Sequence, residues 1–198
     1  MRTAHVDSCL ESIDNRRSVR DLSGEISDEA VEMMLHAGAR APSPHNTQPW
    51  RFVVLGPSSR SKLADIMYGR YVERFKDEPG AEEKAARLRR RLRNAPLAIL
   101  LCLDHKMMRN IAGRERIEWV MATQSIAAAA ENMWLAARSM GLDAMWIAAP
   151  LAIGDYMRDG LGLDGSLEPQ ILMAFGHRLN DPEPKRELGW RELTIFIE

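Results

Sequence analysis

The sequence predicts an α+β layered domain, and three observations carry that expectation. Strand-like apolar runs are mixed with helical patterns along the whole chain, with no internal repeat and no low-complexity linker between them. The composition, 45% hydrophobic and 28% charged, is that of an ordinary globular protein. Finally, 198 residues suffice to bury one full core, so a single domain over 1–198 is expected.

The elements follow from local patterns. Ser8-Cys9-Leu10-Glu11 reads as a capping box opening a short helix, the Ser hydroxyl accepting from one free N–H and the Glu reaching back to another. That helix runs into the basic cluster Arg16-Arg17-Ser18-Val19-Arg20. A second helix starts after Ser27, where Asp28 and Glu29 suit the positive end of its dipole and Ile26 and Val31 are spaced for a hydrophobic staple. Val31, Met34, Leu35 and Gly38 share one face of it, and Pro42 closes it.

Arg51-Phe52-Val53-Val54-Leu55 predicts a strand ended by Gly56-Pro57. Helices are expected over 58–68 and 82–93, then Pro96 and a buried strand over 97–103. The longest helical pattern runs from Glu115 to Met140 and stops at Gly141; its alanines 127–130 permit close approach of another helix. Strands over 144–148 and 170–176 flank a helix over 152–158, and residues 193–197 read as a last strand. Between them, Leu179 to Trp190 is polar and punctuated by proline, like an arm that crosses to a partner chain.

Several functions are disfavoured. A net charge of −1 argues against a chain built to coat nucleic acid or an acidic membrane. Two distant cysteines, Cys9 and Cys102, make neither a disulfide scaffold nor a zinc site, and they fit a reducing compartment. The five histidines show no metal-ligand spacing, so no metal is expected. The opening residues lack a signal-peptide pattern, and the apolar region 119–137 is broken by polar residues such as Thr123, Gln124 and Glu131. A cytoplasmic location is expected. Gly160-Leu-Gly-Leu-Asp-Gly165 matches the dinucleotide fingerprint in letters only; it follows a helix and precedes a strand, so it reads as a helix stop.

Two segments could carry chemistry. Arg16, Arg17 and Arg20 flank Ser18, and guanidinium forks with a hydroxyl match phosphate oxygens; Lys185 and Arg186 form a second basic pair. Solvated surface charge is the plain alternative. Residues 41–50 pack three prolines with His45, Asn46, Gln48 and Trp50 into a loop that feeds a strand. Prolines stiffen such a loop and hold its amides ready for a heterocycle edge; the alternative is a structural loop with Trp50 as a core plug.

Arg16-Arg17-Ser18-Val19-Arg20, followed by Ala41-Pro42-Ser43-x-x-Asn46-x-Gln48-Pro49-Trp50-x-Phe52, resembles the N-terminal pattern of the nitroreductase family. The likeness continues through Gly141 to Ile147 and Leu172 to Gly176 to Pro184-Lys185-Arg186, nearly the whole chain in order. The 44–50 stretch is most similar to the nitroreductase-like C-terminal domain of the glutamyl ligase that matures deazaflavin coenzymes. This resemblance implies a nitroreductase-like fold: a central, mostly antiparallel sheet flanked by helices, with the C-terminal arm and strand exchanged with a partner subunit. It implies FMN as cofactor, NADH or NADPH as donor, and a homodimer.

Under that resemblance, Arg16, Arg17, Ser18 and Arg20 hold the FMN phosphate and pyrimidine edge, and Lys185 and Arg186 complete the phosphate grip. Pro42, Ser43 and Asn46 reach the flavin of the partner subunit, and Arg70 stands near a ribityl contact. Trp146, Ile147 and Ala148 lie by the flavin ring, with the Ala148 N–H near its reactive nitrogen. No side chain need be catalytic, although His45 could deliver a proton.

Better-known nitro-reducing members carry a Glu-Gly pair where this chain has Ala148-Ala149, which keeps a backbone donor and removes a carboxylate. The function expected is electron transfer from NAD(P)H to a small organic acceptor such as a nitroaromatic or quinone. Alternatives are a flavin- or deazaflavin-binding accessory protein without turnover, or a flavin dehydrogenase or flavin-fragmenting enzyme.

Overall fold

The computed structural model describes residues 9–182 and 188–197. In chain order these form α1 (Cys9–Asn15), β1 (Leu22–Ser23), α2 (Asp28–Ala39), β2 (Trp50–Leu55), α3 (Pro57–Arg74) and α4 (Ala81–Asn94). Then come β3 (Leu97–Asp104), α5 (Glu115–Ser139), β4 (Asp143–Ile147), α6 (Pro150–Leu161) and β5 (Leu167–Arg178). The chain is thus α+β, as expected.

β3 explains the layering. All eight of its residues are buried, and the apolar ones, 97–103, alternate between two cores. Leu97, Ile99, Leu101 and Leu103 face Met34 of α2 and Ile126, Met133 and Trp134 of α5. Ala98, Leu100 and Cys102 face Leu63 and Met67 of α3, Leu92 of α4 and Met157 of α6. A strand apolar on both faces must be covered on both, so helices sandwich the sheet. The order is β1-β5-β3-β2 with β4 also on β5, and every ladder is antiparallel.

The second helix begins as its pattern required: Ser27 Oγ accepts from the Ala30 N–H. The glycine-rich 160–165 stretch is a helix stop, with Gly162 left-handed at φ 68° and its N–H capping Arg158 and Asp159 carbonyls. Trp50 is a buried core residue stacked on Phe52. Ser8 of the capping box lies outside the described residues.

The main departures from expectation are at four elements. α3 extends six residues beyond Tyr68, because Met67 and Tyr71 continue its packed face. β5 starts at Leu167 despite Pro169, which the ladder tolerates at a register shift opposite Leu101 and Cys102. β1 is a two-residue pairing, Leu22 with Arg178 and Ser23 with His177, too short to leave a periodic pattern. The last strand over 193–197 finds no pairing among the described residues: Trp190–Leu193 is a 3₁₀ turn, and residues 194–197 have no ladder partner there.

Candidate functional site

The N-terminal basic segment is held against β4. Ser18 bridges Ala144 in parallel, and the Val19 N–H donates to the Ala144 carbonyl at 3.0 Å. Val19 anchors the segment by burying its side chain in the α3/α4/α6 core. The residues on either side then take different directions. Arg16 stacks its guanidinium 4.6 Å from the Trp134 ring centroid and pairs with Glu131 at 3.2 Å, both on α5. Arg17 and Ser18 are half-buried, and Arg20 projects into a cavity.

That cavity, about 390 Å³, lies between α3, the end of β4 and the start of α6. Arg20 and Trp146, each two residues beyond the bridged pair Ser18 and Ala144, both line its wall. Trp146, Ile147, Ala148 and Ala149 form one side, and the Ala148 carbonyl accepts from the Leu151 N–H where α6 turns away. Met67, Arg70, Tyr71 and Arg74 form the opposite side. Among the described lining residues, apolar and aromatic side chains accompany three guanidinium groups and no carboxylate. Apolar walls with a few fixed polar groups suit a flat heterocyclic ligand bearing negative charge.

The proline-rich loop is rigid in a different way. His45, Asn46 and Gln48 all have left-handed backbones, with φ of 54°, 54° and 48°. Non-glycine residues adopt that conformation at a cost, so surrounding bonds must hold it. Ser43 Oγ accepts from the Gln48 N–H at 3.0 Å, and Asn46 Oδ1 accepts from Gln48 Nε2 at 3.2 Å. His45 Nε2 stands 3.8 Å from the carboxylate of Glu118, which is buried at the start of α5. Pro42 and Ser43 line a separate groove of about 290 Å³ on α5, formed with Met121, Gln124, Ser125 and Ala128.

The nitroreductase family's sequence profile matches residues 13–177. The chain belongs to the nitroreductase family. A relative from Archaeoglobus fulgidus, provisionally named an NADH dehydrogenase/NAD(P)H nitroreductase, is 33% identical over 143 residues, covering 72% of this chain and 68% of its own. A relative of the same provisional name from Methanothermobacter thermautotrophicus is 30% identical over 153 residues, covering 73% and 65%. The matched stretches therefore span about two thirds of those relatives. A provisionally named nitroreductase from Desulfovibrio desulfuricans, solved in complex with FMN, superposes with a TM-score of 0.76 at 29% identity, covering 97% of this chain and 98% of that one.

In this nitroreductase-family chain, then, Arg20, Trp146, Ile147 and Ala148 come together in one cavity, with Ser18 at its bridge to β4. Arg16 turns to α5 instead, and Pro42, Ser43 and Asn46 belong to a loop whose groove shares no lining residue with the cavity. Lys185 and Arg186 lie outside the described residues. Sequence reasoning missed Met67, Tyr71 and Arg74 as lining residues. Their signal was available: 67, 70, 71 and 74 follow helical spacing, but only if α3 is carried past Tyr68.

Proposed function

We propose that this chain is an FMN-dependent oxidoreductase passing electrons from NADH or NADPH to a small organic acceptor such as a nitroaromatic or quinone. The observation that carries the reading is the cavity where Arg20 meets the run Trp146 to Ala149. Its apolar walls and the Arg20 guanidinium suit an isoalloxazine, and the relatives' names and the FMN-bound neighbour point the same way. When bound, FMN would supply the hydride- and electron-transfer chemistry between the nicotinamide and the acceptor.

The chain's own residues bind and orient. Arg20 faces the pyrimidine edge, and Arg16, Arg17 and Ser18 with Lys185 and Arg186 grip the phosphate. For Arg16 this requires leaving Glu131, an exposed pair that contributes little. Trp146, Ile147 and Ala148 flank the ring. Pro42, Ser43 and Asn46 serve the partner subunit's site, which explains why their groove is separate from the cavity in one chain. The functional unit is a homodimer in the cytoplasm. His45, beside the Glu118 carboxylate, delivers the proton. The sequence of the 44–50 loop supports a kinship with the nitroreductase-like C-terminal domain of the glutamyl ligase that matures deazaflavin coenzymes.

The test is a visible absorption spectrum of the purified protein with identification of the released cofactor, followed by NAD(P)H oxidation with menadione. Yellow protein carrying about one FMN per subunit and turning over is the expected outcome. Colourless protein that does not take up added FMN overturns the proposal, and flavin-loaded protein without turnover favours the accessory-protein reading.

A further inference from the structure

Three guanidinium groups line the cavity beside β4; Arg20 is assigned to the flavin edge and Arg70 to the neighbourhood of its ribityl chain, which leaves Arg74 without a role. Arg70 and Arg74 lie one turn apart on the same face of α3, with Tyr71 between them. Arg70 pairs with the exposed Glu73 at 2.7 Å and stacks 4.2 Å from the centroid of Tyr156. Arg74 lies 5.7 Å from the Phe75 ring centroid and has no carboxylate partner among the described residues. Arg20 likewise makes no hydrogen bond or ion pair among them. Apolar walls around such charge focus its field.

We propose that this cavity selects, as the ligand that exchanges electrons with the flavin, a planar molecule bearing an anionic group read by Arg74 beside Arg70. A neutral ligand covering Arg74 would desolvate a cation without pairing it, whereas a carboxylate or phosphate meets the guanidinium fork with two hydrogen bonds. The anionic group belongs either to the acceptor or to the phosphates of the nicotinamide donor. This inference rests on the FMN reading.

The experiment uses FMN-loaded protein and the acceptors 4-nitrobenzoate and 4-nitrobenzamide, which share shape and differ in charge. The amide is the more electron-poor, so intrinsic reactivity opposes the expected preference. The wild type should favour the carboxylate about tenfold in kcat/KM, the worth of one charge-assisted hydrogen bond. The ratio should fall with added salt, drop towards one in Arg74→Gln and stay partly intact in Arg74→Lys. Rapid-mixing reduction supplies the second arm. A weaker apparent Kd for NADPH in R74Q, without an acceptor preference, supports the inference with the donor as source. A ratio near one together with an unchanged donor Kd, in yellow protein, overturns it and leaves the FMN reading standing. Protein that cannot bind FMN overturns both.

Discussion

Ser18 stands in parallel register with Ala144, and this contact joins two stretches of chain some 125 residues apart. One stretch supplies a basic cluster and the other a strand ending in small residues. Neither makes a pocket alone. With Val19 buried and its N–H bonded to Ala144, the backbone brings Arg20 to the same cavity as Trp146.

The first prediction concerns that arginine. Arg20→Ala should weaken FMN binding by about 1.5–3 kcal/mol, which is roughly tenfold to over a hundredfold in Kd. Titration of apo-protein with FMN, followed by flavin fluorescence, measures it. Arg20→Lys should recover part of the loss, since a point charge remains but the fork does not. An R20A protein with wild-type FMN affinity would remove Arg20 from the site.

Much of this arrangement was legible because single residues carry local physics. Ser27 caps α2 where its hydroxyl can reach the Ala30 N–H, and Gly162 stops α6 because it adopts φ 68° without strain. The apolar run 97–103 could only be a strand covered on both faces. What stayed hidden depends on tertiary pairing. β1 exists only because His177 and Arg178 stand opposite it, and Pro169 disguised the start of β5. At the site, Arg20 and Trp146 could be named individually, but Arg74 could not, because the helix end at Tyr68 cut it off. The groups that fix His45 and Asn46 in left-handed conformations are equally invisible to a periodic pattern.

The second prediction tests what holds β4 in place beside the site. Asp143, 1% exposed, accepts from Arg178 Nε at 2.7 Å and Nη2 at 2.8 Å, and from Arg138 Nη1 at 3.3 Å. The carboxylate holds the Arg178 guanidinium charged well above its ordinary range. Asp143→Ala strands the partly buried Arg138 and leaves Arg178 only its bond to the exposed Asp181 at 2.9 Å, and should destabilise the fold by about 3 kcal/mol, seen as a lower urea midpoint at unchanged slope. A loss below about 1 kcal/mol would mean that solvent already screens the cluster.

The third prediction concerns the two thiols. Burial against the α3/α4/α6 core pushes the Cys102 thiol up to about 12, while Cys9 is exposed. At pH 8–9 a thiol-specific reagent should modify one thiol in the native protein and two after denaturation. The sign for stability follows. An unfolded Cys ionises near pH 8.5, roughly, whereas folded Cys102 stays protonated to about 12. Stability associated with this group is fully present below about pH 8.5 and is lost as pH rises towards 12, at up to about 1.4 kcal/mol per pH unit. Cys102→Ala should flatten that part of the profile. Two reactive thiols in the native state would contradict the burial.

The last prediction concerns residues that find no place within one chain. Ile195, Phe196 and Ile197 are 88%, 77% and 93% exposed, and Thr194 already has extended backbone at φ −116°, ψ 130°. β2 meanwhile pairs with β3 on one edge only, and its Val54 is exposed. A segment of β-branched and aromatic residues left in water is an unstable arrangement, and an open sheet edge is its natural complement. In the proposed homodimer the segment crosses to the partner subunit, where Ile195 and Ile197 share a face by strand alternation. Ile195→Glu combined with Ile197→Glu places two charges on that buried face while leaving the basic residues 185 and 186 intact. The variant should sediment as a monomer and lose FMN, because the loop carrying Pro42, Ser43 and Asn46 would no longer reach a second cavity. A dimer of wild-type stability would show that this segment is not the exchanged strand. A flavin-loaded monomer would show that one chain makes a complete site, and the division between cavity and loop groove would then need another cause.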